Sequence, residues 1–146
     1  MTDRDHVCVI YIQAPPEAVW QGLTSAEFTR RYFHQTEIES DWQPGSEVIY
    51  YNADRSIAVK GEVLEVEYPR LLSFTWHVQY NPEAQAEGAT RVRFTLEAVE
   101  GATKLTLIHD QFVANSVLID SISDGWIAIL SNLKTLLETG EAMAVS

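Results

Sequence analysis

Ile119-Asp120-Ser121-Ile122-Ser123-Asp124-Gly125-Trp126-Ile127-Ala128-Ile129-Leu130-Ser131-Asn132-Leu133-Lys134-Thr135-Leu136-Leu137 is the stretch that decides the fold. Ile119, Ile122, Trp126, Ile129, Leu130, Leu133 and Leu137 recur at steps of three and four, the spacing of one apolar stripe on an α-helix. Asp120, Ser123, Asp124, Ser131, Lys134 and Glu138 fill much of the remaining surface. The spacing predicts a start between Asn115 and Ser121 and a stop at Gly140. A helix from Ser121 to Thr139 runs about 28 Å, and a nine-residue strand runs about 30 Å. Such a helix can lay its oily side along a whole sheet, and the preceding sequence supplies the strands.

Working backwards, Leu105, Leu107 and His109 alternate with Lys104, Thr106, Ile108 and Asp110. Val92, Phe94 and Leu96 alternate with Arg91, Arg93 and Thr95, and the turn Glu100-Gly101-Ala102 joins the two runs. Leu72, Phe74, Trp76 and Val78 share one face of a strand, while Ser73, Thr75, His77 and Gln79 share the other. Residues 81–89 read as a polar loop. Earlier strands fall at 57–66, 47–51 and 36–42, separated by turns at Tyr68-Pro69-Arg70, Asn52-Ala53-Asp54-Arg55 and Pro44-Gly45. The first strand, 7–13, is apolar on both sides and is expected to be covered on both. Between it and the rest lie two short helices. Pro16 and Glu17 suit the opening turn of one, with Val19, Trp20 and Leu23 on its apolar side. Thr24 and Glu27 have the spacing of a capping box for the other. The expected architecture is α+β: a curved antiparallel sheet of about seven strands around a long C-terminal helix, two short helices after the first strand, and one domain over 1–146 with 141–146 as a flexible tail.

Composition narrows the function classes. The chain has 146 residues, 46% hydrophobic and 21% charged, enough for a core that needs no metal or disulfide staple. Its one cysteine, Cys8, lies in an apolar stretch, as a small buried hydrophobe or a reactive thiol. Ten basic residues face 21 acidic ones, a formal net charge of −11, and basic residues cluster no further than Arg30-Arg31. Nucleic acids and anionic membranes demand the opposite balance. Neither a signal peptide nor a membrane-spanning run is readable, so a cytoplasmic, reducing setting is expected.

Ala14-Pro15-Pro16-Glu17-Ala18-Val19-Trp20 resembles the strand-to-helix opening of the helix-grip superfamily, also called START-like or SRPBCC. Three segments are similar to its branch related to the C-terminal domain of the activator of the heat-shock protein 90 ATPase. They are Asp41-Trp42-Gln43-Pro44-Gly45-Ser46; Gly61-Glu62-Val63-Leu64-Glu65-Val66 continuing to Leu72-Ser73-Phe74-Thr75-Trp76; and Asp124-Gly125-Trp126-Ile127-Ala128-Ile129-Leu130-Ser131-Asn132-Leu133-Lys134. The resemblance implies a cavity between sheet and closing helix. It also raises a chaperone partner, although 146 residues leave no room for the activator's separate chaperone-binding domain.

The candidate cavity wall is aromatic: Phe74, Trp76, Phe94 and Trp126, with Phe33, Trp42, Tyr50 and Phe112 at its mouth. These rings either line a binding site or simply fill the core. Gly125 lies inside the helix, where glycine costs about 1 kcal/mol against alanine. It signals either room for a ligand or close helix–sheet packing. His109 follows Leu105 and Leu107 in register, so alternation turns it inward, toward a ligand or toward a core partner. The remaining histidines, His6, His34 and His77, have no ligand spacing, and no metal or other cofactor is expected. Nucleophile-elbow, phosphate-loop and dinucleotide motifs are absent, which argues against hydrolase, kinase and dehydrogenase chemistry. Three readings stand. The first is a binding domain for a small apolar or aromatic molecule, a lipid or polyketide-like metabolite. The others are a cyclase-like enzyme with His109 as acid–base group and a chaperone-accessory module.

Overall fold

A computed structural model describes residues 5–143. Strand β1 (His6–Ile12) is followed by helices α1 (Pro16–Thr24) and α2 (Ala26–Tyr32). Strands β2 (Glu37–Ser40), β3 (Glu47–Tyr51), β4 (Ile57–Glu67) and β5 (Leu71–Val78) come next. A short helix α3 (Pro82–Ala86) precedes β6 (Thr90–Val99), β7 (Ala102–Asp110) and the closing helix α4 (Val117–Thr139). The strands form one seven-stranded antiparallel sheet in the order β1-β7-β6-β5-β4-β3-β2. The expected fold class is therefore observed, including the seven strands and the two helices after the first. Among the described residues, no helix is long and apolar enough to cross a membrane.

Alternation sets which side of each strand meets α4. Leu105, Leu107 and His109 are fully buried, while the residues between them are half-buried on the outer face. From the helix, Ile119, Ile122, Trp126, Ile129, Leu130 and Leu133 enter the same core. The helix begins within the expected window. Ser116 caps it, its Oγ accepting from the N–H groups of Leu118 (3.1 Å) and Ile119 (3.3 Å). Glu87 supports that cap: one carboxylate oxygen accepts from Ser116 Oγ at 2.6 Å, the other from the Val117 N–H at 2.7 Å. The far end stops at Gly140, φ 86°, and is tied to the sheet edge. Lys134 Nζ donates to the Tyr11 carbonyl at 2.8 Å, and the Gln13 N–H donates to Glu138 at 2.7 Å.

Three local expectations are corrected. The outer face of β1 is open, with Val7, Val9 and Tyr11 about half exposed, because α4 packs on the opposite face of the strand. Thr24 and Glu27 make no capping box: the Thr24 hydroxyl donates back to the Trp20 carbonyl at 2.9 Å, and Ser25 occupies the cap of α2 without a side-chain bond. The polar loop at 81–89 contains α3, which Asn81 caps by accepting from the N–H groups of Glu83 and Ala84. In the expected tail, the Met143 N–H donates to Asn132 at 2.6 Å, and residues 144–146 lie outside the described residues.

Candidate binding pocket

Four aromatic side chains from four different elements meet between the sheet and α4. Trp76 comes from the inner face of β5, Tyr50 from β3, Trp126 from α4, and Phe33 from the residue that ends α2. Ring centroids are 5.2 Å apart for Trp76–Trp126 and Tyr50–Trp76, 4.9 Å for Phe33–Tyr50 and 5.8 Å for Phe33–Trp126. They border a pocket of about 340 Å³, within the usual size range of small-molecule sites. Ala58 and Val59 of β4 and Ile122 and Ile129 of α4 add apolar wall, while His34, Thr36, Asn52, Tyr80 and Ser121 add polar groups to the lining. A Cβ placed on Gly125 would have no heavy atom within 4 Å, so this glycine borders open space rather than a tightly packed strand.

The other candidates occupy different ground. Phe74 and Phe94 are fully buried behind the pocket, 6.2 Å apart, with Phe94 edge-on to Trp126. Phe112 lies against His109 at 4.6 Å in the same backing layer. Trp42 packs on Phe74 at 6.2 Å and borders a separate, shallow polar depression with Ser40 and Glu47. His109 does turn inward, as alternation requires, yet it does not line the pocket. Periodicity could not find His34 and Asn52, which leave turns where side-chain direction is not set by a repeat; Tyr80 continues the alternation of Trp76 and Val78, a signal that could have found it.

The hydrogen bonds of His109 define its state. Trp126 Nε1 donates to His109 Nδ1 at 3.0 Å, and an indole nitrogen can only donate, so Nδ1 is the accepting nitrogen. The neutral ring then carries its proton on Nε2 and donates to Thr90 Oγ1 at 2.6 Å, and the Thr90 hydroxyl donates to the Trp76 carbonyl at 3.1 Å. Burial, with a smaller contribution from His6 opposite on β1, lowers the His109 pKa to about 3. Burial also raises the Tyr50 phenol well above its ordinary range, reinforced by Tyr32. Both groups are neutral near pH 7. Trp76 Nε1, by contrast, is buried with no hydrogen-bond partner among the described residues. No cluster of His, Cys, Asp and Glu able to hold a metal ion occurs among the described residues.

The family model described as "Activator of Hsp90 ATPase homolog 1-like protein" matches residues 13–138. Among solved structures the chain is similar to protein MLL2253 from Mesorhizobium loti, at 23% identity and a TM-score of 0.77, covering 92% of this chain and 97% of that one. It is similar to PFC0360w, an HSP90 activator from Plasmodium falciparum, at 20% identity and 0.75, covering 92% and 96%. It is also similar to CalU16 from Micromonospora echinospora, at 20% and 0.73, covering 94% and 78%. At such identities the likeness shows a shared fold. No curated protein sequence matches the chain significantly.

Proposed function

We propose, from the premise that the chain belongs to the family of Activator of Hsp90 ATPase homolog 1-like proteins, that it is a binding domain for a small apolar or aromatic molecule held between the sheet and α4. The observation that carries this reading is the empty space beside Gly125 within a wall of Phe33, Tyr50, Trp76 and Trp126. A helix glycine costs about 1 kcal/mol against alanine, and here no close packing accounts for it. Apolar concavities with a few polar groups at one side are the usual form of small-molecule sites.

Native mass spectrometry of the protein purified from its own source is the test. A co-purifying molecule, lost from Gly125→Leu, is the expected result; equal occupancy in that variant would refute a site at this glycine. The cyclase-like reading loses support from His109, whose two nitrogens are both engaged and whose pKa of about 3 leaves it outside proton transfer near neutrality. A chaperone-accessory role draws on the family description and on the Plasmodium falciparum relative. Co-purification of a chaperone in the same experiment would favour it.

A further inference from the structure

The two edges of the sheet, β1 and β2, are built differently. β2 has four residues, and its Glu37 and Glu39 are held in ion pairs by Arg30 and Arg55. Short, charged strands are the usual means of keeping a sheet edge from pairing with another chain. β1 has neither device. Its seven residues, His6-Val7-Cys8-Val9-Ile10-Tyr11-Ile12, include no Lys, Arg, Asp, Glu or Pro. Val7, Val9 and Tyr11 are about half exposed on its outer face.

Two bonds show which backbone groups meet the free edge. The Gln13 N–H donates to Glu138 and the Tyr11 carbonyl accepts from Lys134, neither bond belonging to the ladder with β7. Backbone direction alternates along a strand, so the odd-numbered residues turn their N–H and C=O groups outward. α4 therefore covers the Tyr11 end of the edge and leaves the groups of Val7 and Val9 open to an added strand.

The charges at the two ends specify which strand fits. Arg91 answers Asp110, and Glu138 answers Lys134. Asp5, beside His6 at one end, and Lys104, opposite Tyr11 on β7 at the other, make no ion pair among the described residues. An antiparallel copy of the same strand brings each acidic end to a basic one. Two chains of formal charge −11 repel over most of their surface, so an uncharged strand is also where they meet at least cost.

We propose that this protein self-associates through β1, about a two-fold axis at Cys8. Val7 of each copy exchanges backbone hydrogen bonds with Val9 of the other. Asp5 lies opposite Tyr11 of the second copy, within side-chain reach of its Lys104. The two Cys8 residues then face each other as a non-hydrogen-bonded pair, with Cα atoms about 4.5 Å apart, inside the span that a disulfide bridges.

Sedimentation velocity of the full chain under reducing conditions, from about 10 μM to 1 mM, reads the association. The expected result is a monomer–dimer equilibrium in the wild type that is lost in Val9→Lys, a substitution at an exposed side chain that charges the edge. Asp5→Lys should weaken the dimer about threefold, and adding Lys104→Asp to that variant should restore it. Far-ultraviolet circular dichroism matching the wild type establishes that each variant is folded. Oxidation with copper–phenanthroline reads the register, because Cys8 is the one cysteine of the chain: a disulfide-linked dimer should form in the wild type and not in Val9→Lys. A wild-type monomer across the whole range would overturn the proposal and leave this edge to a strand from a different protein. A dimer that persists in Val9→Lys would overturn it by placing the interface elsewhere. A dimer lost in Val9→Lys but never linked through Cys8 would overturn the two-fold register.

Discussion

Trp126 donates its indole N–H to His109 Nδ1 across 3.0 Å, inside the core, and so fixes the histidine as a neutral ring with its proton on Nε2. The imidazole that looks most like a catalytic group in the sequence is thereby a structural connector between α4 and the sheet.

His109→Phe keeps an aromatic ring but strands the Trp126 donor, at a cost of about 1–3 kcal/mol. The loss should appear in urea denaturation at pH 7 whether or not ligand is present. Binding of an apolar guest should change little. A variant of unchanged stability would contradict the connector role.

The same residue predicts a pH dependence. The His109 pKa falls from 6.5 to about 3 on folding, so the unfolded chain binds the extra proton first. Its stabilising contribution is complete above about pH 6.5 and is lost as pH falls toward 3, by at most about 1.4 kcal/mol per unit. The stability gap between wild type and His109→Phe should therefore narrow steadily on acidification below pH 6.5. A gap constant from pH 7 to 4 would show that the histidine does not resist protonation.

Trp126 is 3% exposed and touches Phe33, Trp76, Phe94 and His109. Trp126→Ala should cost about 3–5 kcal/mol, read as a lower denaturation midpoint with the unfolding slope preserved. A loss below about 1 kcal/mol would place the ring outside the core.

Two glycines should respond with opposite signs. A Cβ at Gly61 would collide with the backbone carbonyl of Thr75 on the paired strand, so Gly61→Ala should destabilise by about 1–3 kcal/mol. Gly125 has open space around it, so Gly125→Ala should stabilise the helix by about 0.5–1 kcal/mol while narrowing the pocket. Thermal unfolding of the two variants side by side decides the matter.

Much of the architecture was legible because two repeats dominate it: alternation in β5, β6 and β7, and the three–four spacing along α4. What periodicity could not convey was position. An apolar alternation in β1 reads as covered on both faces, and only the placement of α4 reveals that Val7, Val9 and Tyr11 face outward. Thr24 has the spacing of a cap, but its hydroxyl turns back to the preceding helix. In the site, Trp76 and Trp126 were readable from their faces, whereas His34 and Asn52 depend on turns. The facing of His109 was readable too; its partners, supplied by Thr90 nineteen residues earlier and Trp126 seventeen later, were not.

The link from Trp126 through His109 and Thr90 to the Trp76 carbonyl ties two sides of the pocket together. Its helix side and its sheet side are bolted to each other, so neither recedes without breaking a buried bond. The Phe33 side is fastened elsewhere: the Thr29 hydroxyl donates to the Thr36 carbonyl at 2.9 Å and the Thr36 hydroxyl to the Phe33 carbonyl at 2.7 Å. The pocket is thus clamped at two separate points, and Thr90→Val should loosen one while leaving the other intact.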